Sequence, residues 1–220
     1  MKYFQQTSLT VNGAVHASAL CNRVRLAVLA LFTFLCFLSL VWAVQPVRIS
    51  YAEQPTVKEY ELKAVYLYNF LQFVQWPDDK RGSSKDEDMI IGIIGESPFG
   101  NSLEDLRREI RQQHMTTVKF VYYGPYEDVI RESRDISSCH LLFLCSSEKG
   151  RFAKIIADLN DAPVLTVADT DNFLSSGGMI ALVQSKGKIR WMINRTAVDK
   201  AGLRFSAQLL SMAVKVEGGN

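Results

Sequence analysis

The sequence predicts an α/β fold: a single domain with a mostly parallel sheet, helices on both faces and an antiparallel C-terminal hairpin on one edge. Three observations predict it. From Met89 onward, short apolar runs alternate with helical stretches, the pattern of strands buried on both faces by crossover helices. A capped and almost wholly apolar helix, EYELKAVYLYNFLQFVQWP (59–77), precedes them. Two β-rich runs around a Ser-Lys-Gly turn follow them, which is a hairpin signal.

Each element has a local reason. Thr56 and Glu59 make a capping box after Pro55, and Trp76-Pro77 stops the helix, which predicts a span of 57–75. From Ala64 to Val74 only Asn69 and Gln72 are clearly polar. A helix apolar on nearly every side needs cover on nearly every side, from a core, a partner subunit or lipid. The charged loop 78–88 connects it to a first strand, Met89–Gly95, a continuous apolar run bounded by glycine. Ser97 and Pro98 look like the N-cap and first residue of a helix reaching Arg111. Thr117–Tyr123, His140–Cys145 and Val164–Ala168 are the next strands, with helices over Tyr126–Arg134 and Glu148–Leu159 between them. The acidic loop Asp169-Thr170-Asp171 ends the fourth strand and leads into a short helix to Ser175. Met179–Gln184 and Lys188–Ile193 form the hairpin, and a last helical region runs from Thr196 through a break at Gly202 to Val216.

Residues 1–43 contain Lys2, Arg23 and Arg25, no acidic residue, and an apolar run from Leu26 to Val44. This is a signal peptide or a membrane anchor, with Ala43 and Ala52 ending two small-residue sites suited to cleavage. Either way the remainder lies outside the cytoplasmic membrane, because Arg23 and Arg25 stay inside. Residues 44–55 are a tether without periodicity, and 56–216 form the α/β domain. The chain has 25 Lys+Arg and 23 Asp+Glu; past residue 43 the balance is 22 to 23, a net of −1. The basic excess belongs to the leader, so it is no argument for a nucleic-acid surface.

Cys139 and Cys145 are the two cysteines beyond the leader. If CHLLFLC is one strand, their sulfurs share a face roughly 20 Å apart at strand rise, too far for a disulfide. No disulfide is therefore expected between them. His140 with these cysteines matches no zinc spacing, and no G-x-S-x-G nucleophile motif is present. Asp169 and Asp171 could chelate a divalent ion with Glu96 as third ligand, though such loops more often cap a helix. No catalytic residue, metal or cofactor is assigned. The candidates for partner or ligand contact are Glu96, Ser97 and Phe99 in the first strand–helix turn, Asp169 and Asp171, and Arg190, Trp191 and Met192 on the hairpin. Ile189, Trp191 and Ile193 face one way there, and Trp191 either covers the sheet or anchors an interface, where Trp, Met and Arg are enriched.

The run KAVYLYNFLQFVQWP (63–77) resembles the K-A-x-Y-L-Y-N-F-x-x-F-V-x-W-P opening of the YfiR/HmsC-like family. Three later blocks extend the resemblance in order: IIGESPFG, CHLLFL from Cys139, and SGGMIALV…GKIRWMINRTAVDKAGLRFSAQLL. Members often carry a cysteine in the first strand able to pair with the one before the CH-x-L-F motif; here MIIGIIG has Gly92 or a neighbour in that place. The resemblance implies a non-catalytic periplasmic repressor of an inner-membrane diguanylate cyclase, lowering cyclic di-GMP and biofilm matrix output through contact with the cyclase's periplasmic sensory part. A homodimer is expected, with no nucleic-acid partner and no membrane contact except through an uncleaved leader. The alternative is a periplasmic ligand-binding component reporting to a histidine kinase.

Overall fold

A computed structural model describes residues 57–77, 88–113 and 118–218. The leader, the tether, the capping box at Thr56 and nearly all of the loop 78–88 lie outside these residues. Seven strands make one sheet in the order β3-β2-β4-β5-β6-β7-β9. Its parallel part is β3 (Val118–Gly124), β2 (Met89–Ile94), β4 (Leu141–Leu144), β5 (Leu165–Ala168) and β6 (Ile180–Ser185). All four residues of β4 and of β5 are buried, as strands covered on both faces must be. On one face lie α1 (Val57–Phe73), α2 (Ser102–Gln112) and α6 (Ala207–Met212), around Leu67, Phe70, Ile91, Phe143 and Trp191. On the other lie α3 (Tyr126–Arg131) and α4 (Phe152–Asp158), around Ile94, Leu142, Leu144 and Phe173. The expected α/β class and two-sided cover are what the chain adopts.

Several boundaries move, each for a physical reason. α1 ends at Phe73, and Val74–Gln75 become a short strand, β1, antiparallel to β8 (Arg204–Phe205). Pro77 holds Trp76 extended, and the Ser206 N–H takes the Phe73 carbonyl at 2.9 Å. The cover of α1 is incomplete: Leu62 and Val65, one turn apart, stay 42% and 38% exposed. α2 begins at Ser102 rather than near Ser97. Phe99 is buried edge-on to Tyr60 and Phe143, which holds 97–101 as a turn, and Gly100 takes a positive φ of 51° that ends any helix there. The helix expected over Glu148–Leu159 is a 3-10 turn, Ser146–Arg151, followed by α4.

The hairpin of β6 and β7 (Lys188–Asn194) turns on Lys186 and Gly187, whose φ values of 52° and 71° suit a two-residue turn matching strand twist. It is not the edge. The region expected to be helical from Thr196 to Val216 is α5 (Arg195–Lys200), β8, α6 and a last strand, β9 (Lys215–Glu217), which pairs parallel with β7. Asn194 caps α5 through the Ala197 N–H at 3.1 Å, and Ser206 caps α6 through the Leu209 N–H at 3.2 Å.

Candidate functional site

β2 leads outward to β3, and the chain then returns to the other side of β2 as β4. That reversal is a topological switch point at the carboxyl ends of β2 and β4, the usual binding position in open α/β sheets. Gly95 follows β2 there with φ 96°, and its N–H reaches the Gly124 carbonyl at 2.8 Å. A Cβ there would meet Cys145 Cβ and Glu148 Cγ at 3.0 Å, so only glycine fits without displacement. The Glu96 N–H donates to Ser147 Oγ at 2.9 Å, joining the two strand ends.

The end of β5 adds a buried polar group. Lys63 Nζ donates to Asp169 Oδ2 at 2.8 Å and pairs with Glu59 at 2.7 Å; Tyr60 OH donates to the same Asp169 oxygen at 2.9 Å. Lys63 also lies 4.2 Å from the centre of the Tyr60 ring. Burial, then the Asp169 carboxylate, raise the Tyr60 pKa well above the usual phenol value, so its proton stays on the hydrogen bond. Burial pushes the neighbouring Cys145 thiol up to about 12, with Asp169, Glu148 and Glu96 adding to the shift.

The sequence-derived candidates separate on this geometry. Glu96, Ser97 and Asp171 are exposed. Phe99 is a core residue, 2% exposed. Asp169 is spent on Lys63 and Tyr60, so an ammonium already stands where a chelated cation would; among the described residues no cluster suited to a metal is found. Of the two readings open for Trp191, the ring covers the sheet and does not project as an anchor. It is 4% exposed, edge-on to Tyr66 and Phe70 at 5.5 Å, and its indole N–H donates to the Leu209 carbonyl at 3.3 Å. Arg190 donates to the Met212 carbonyl at 3.0 Å, and Met192 packs half-buried on the second core.

Cys139 and Cys145 also differ from expectation. Both are buried, but on opposite faces, because the strand covers only Leu141–Leu144 and Cys139 lies in the turn before it, against the Tyr123 hydroxyl at 3.2 Å. Gly92 is the residue opposite Cys139: a Cβ on it would stand 2.7 Å from Cys139 Sγ. His140 accepts from the Ile90 N–H through Nδ1 at 3.0 Å and lies edge-on to Trp76, a structural role at the start of β4.

The amino ends of β5 and β6 border a pocket of about 250 Å³ that the sequence did not signal. Ile156, Val164, Met179 and Ala201 line it, and a Lys200–Asp161 ion pair at 2.9 Å stands at its rim.

The chain matches the YfiR/HmsC-like family over residues 60–214. It belongs to that family. Membership supports a periplasmic regulatory role. Among curated proteins none matches the chain. Among solved structures it is similar to a conserved domain protein from Vibrio cholerae O1 biovar El Tor, at 14% identity and a TM-score of 0.51. That likeness, one of fold, covers 72% of this chain and 60% of the Vibrio chain. An ABC domain in complex with L-Trp from Streptococcus pneumonia matches at 12% identity over 59% of this chain and 55% of its own, with a TM-score of 0.46. Within the family's opening motif, Lys63 now has a reason: it is the ammonium that neutralises Asp169. Among the described residues no helix is long and apolar enough to cross a membrane.

Proposed function

We propose that this protein is an exported repressor of an inner-membrane diguanylate cyclase. It binds the cyclase's periplasmic sensory part, favours the inactive arrangement, and so lowers cyclic di-GMP and biofilm matrix output. The observation that carries this reading is the family match over residues 60–214. The mechanism requires no chemistry from the chain, only unequal affinity for two states of the target. The leader directs residues beyond 43 to the periplasm, and the regulator works as a homodimer. Glu96, Ser97 and Asp171, exposed at the carboxyl ends of β2 and β5, are the contact candidates best placed to touch a partner.

One observation favours a second reading, a ligand-binding component reporting to a histidine kinase: the pocket between α4, β5 and α5 is large enough for a small molecule. Cross-linking the tagged full chain in intact cells and identifying what it captures separates the two. An inner-membrane protein with a diguanylate cyclase domain is the expected product. A histidine kinase in its place overturns the first reading in favour of the second.

A further inference from the structure

Among the described residues the sheet has two open edges, β3 and β9. An exposed apolar patch lies on β9 and the residues just before it: Met212 at the end of α6, Val214 and, within β9, Val216 are 45%, 44% and 42% exposed. Residues two apart on an extended chain share a face. Within β9, Lys215 and Glu217 therefore share one face, where their side chains pair, and Val216 stands on the other. Val216 lies beside Ile193 of β7, so it continues the larger core out to the rim of the sheet.

We propose that β9 pairs antiparallel with β9 of a second copy across a two-fold axis at Val216, joining two sheets into one. This rests on the homodimer reading above and names its interface. The charge pattern is what selects a second copy. An axis at Val216 sets Val216 against its own counterpart, Lys215 against the partner subunit's Glu217, and Glu217 against the partner subunit's Lys215. Directly opposed strand residues interact, opposite charges favourably and like charges unfavourably. Moving the axis to Lys215 would oppose two lysines, and moving it to Glu217 would oppose two glutamates. Val216 is thus the one centre within β9 that satisfies the charges while bringing the two Val216 side chains together. Lysine on an edge strand ordinarily deters pairing; in this register its charge is met. Gly218, with φ 73°, ends the strand, so the paired stretch is short and the dimer is reversible.

Sedimentation velocity on protein purified from expression of the full chain, across a concentration series, tests this. Lys215→Glu or Glu217→Lys alone opposes like charges twice about the axis and should weaken dimerisation about tenfold or more. The double variant K215E/E217K restores opposite charges and should dimerise as the parent does. Circular dichroism and melting of all four proteins keep the comparison to folded molecules. A parent that stays monomeric throughout overturns the homodimer reading together with this interface. A dimer indifferent to the single swaps, or one that the double swap does not restore, overturns the β9 interface and leaves the homodimer reading standing. Neither result bears on whether the chain represses a cyclase.

Discussion

Lys63 Nζ and Asp169 Oδ2, 106 residues apart in sequence, meet at 2.8 Å with side chains only 6% exposed, tying the first turns of α1 to the end of β5. Removing one member of such a pair leaves a buried charge without compensation, which typically costs about 3 kcal/mol or more. Lys63→Met should therefore destabilise the domain strongly in urea titration. Replacing both members, as in K63M/D169L, should recover part of the loss, since neither charge of the pair is then buried alone, while the Tyr60 OH and Glu59 lose their partner. Equal destabilisation in the single and double variants would mean the pair is not what holds α1 there.

Trp191→Ala should lower stability by about 3–5 kcal/mol, because a large buried ring leaves a cavity among Tyr66, Phe70 and Leu209. Trp191→Phe keeps most of the ring contact and should cost far less. Thermal melting reads both. A folded Trp191→Ala protein of parental stability would restore the ring to a surface role.

A cysteine at Gly92 should bridge to Cys139. The added Cβ stands 2.7 Å from Cys139 Sγ, with Leu142 Cδ1 at 2.8 Å and Tyr123 Cε2 at 2.9 Å, so the reduced Gly92→Cys protein is crowded and oxidation relieves part of the crowding. Mass spectrometry after alkylation of the unfolded, non-reduced variant should find Cys145 as the alkylated thiol. Full alkylation of all three thiols beyond the leader would show that β2 and the turn before β4 are not so aligned.

The Cys145 thiol should resist alkylation in the folded protein at mildly alkaline pH. Its pKa is raised to about 12, first by burial, then by Asp169, Glu148 and Glu96. An unfolded thiol titrates near 8.5. A raised folded value means the folded state holds the proton more tightly, so this contribution is complete below roughly pH 8.5 and is lost as pH rises toward the folded value. Cys145→Ala should flatten the fall in stability over that range. An identical slope with and without the thiol would contradict the shift.

The strands were legible because burial on both faces writes itself as uninterrupted apolar runs: MIIGII, LLFL and LTVA became β2, β4 and β5. The hairpin was legible because its turn needs two positive φ values, met at Lys186 and Gly187. β9 was not, because three residues are too few for alternation to register, and what makes Lys215–Glu217 a strand is the free edge of β7. The Lys63–Asp169 pair was not either, since nothing local links residues that only the parallel sheet brings together. Trp191 shows a third limit. Alternation correctly set it with Ile189 and Ile193 on one face, but could not say that α1 and α6 cover that face.

The central claim is repression, and the most direct measurement is cellular cyclic di-GMP in a strain lacking this gene, beside the parent and a strain carrying the full chain restored. Cyclic di-GMP and matrix output should rise on deletion and return to the parental level on restoration. An unchanged level in the deletion strain, with the cognate cyclase present, would contradict that claim.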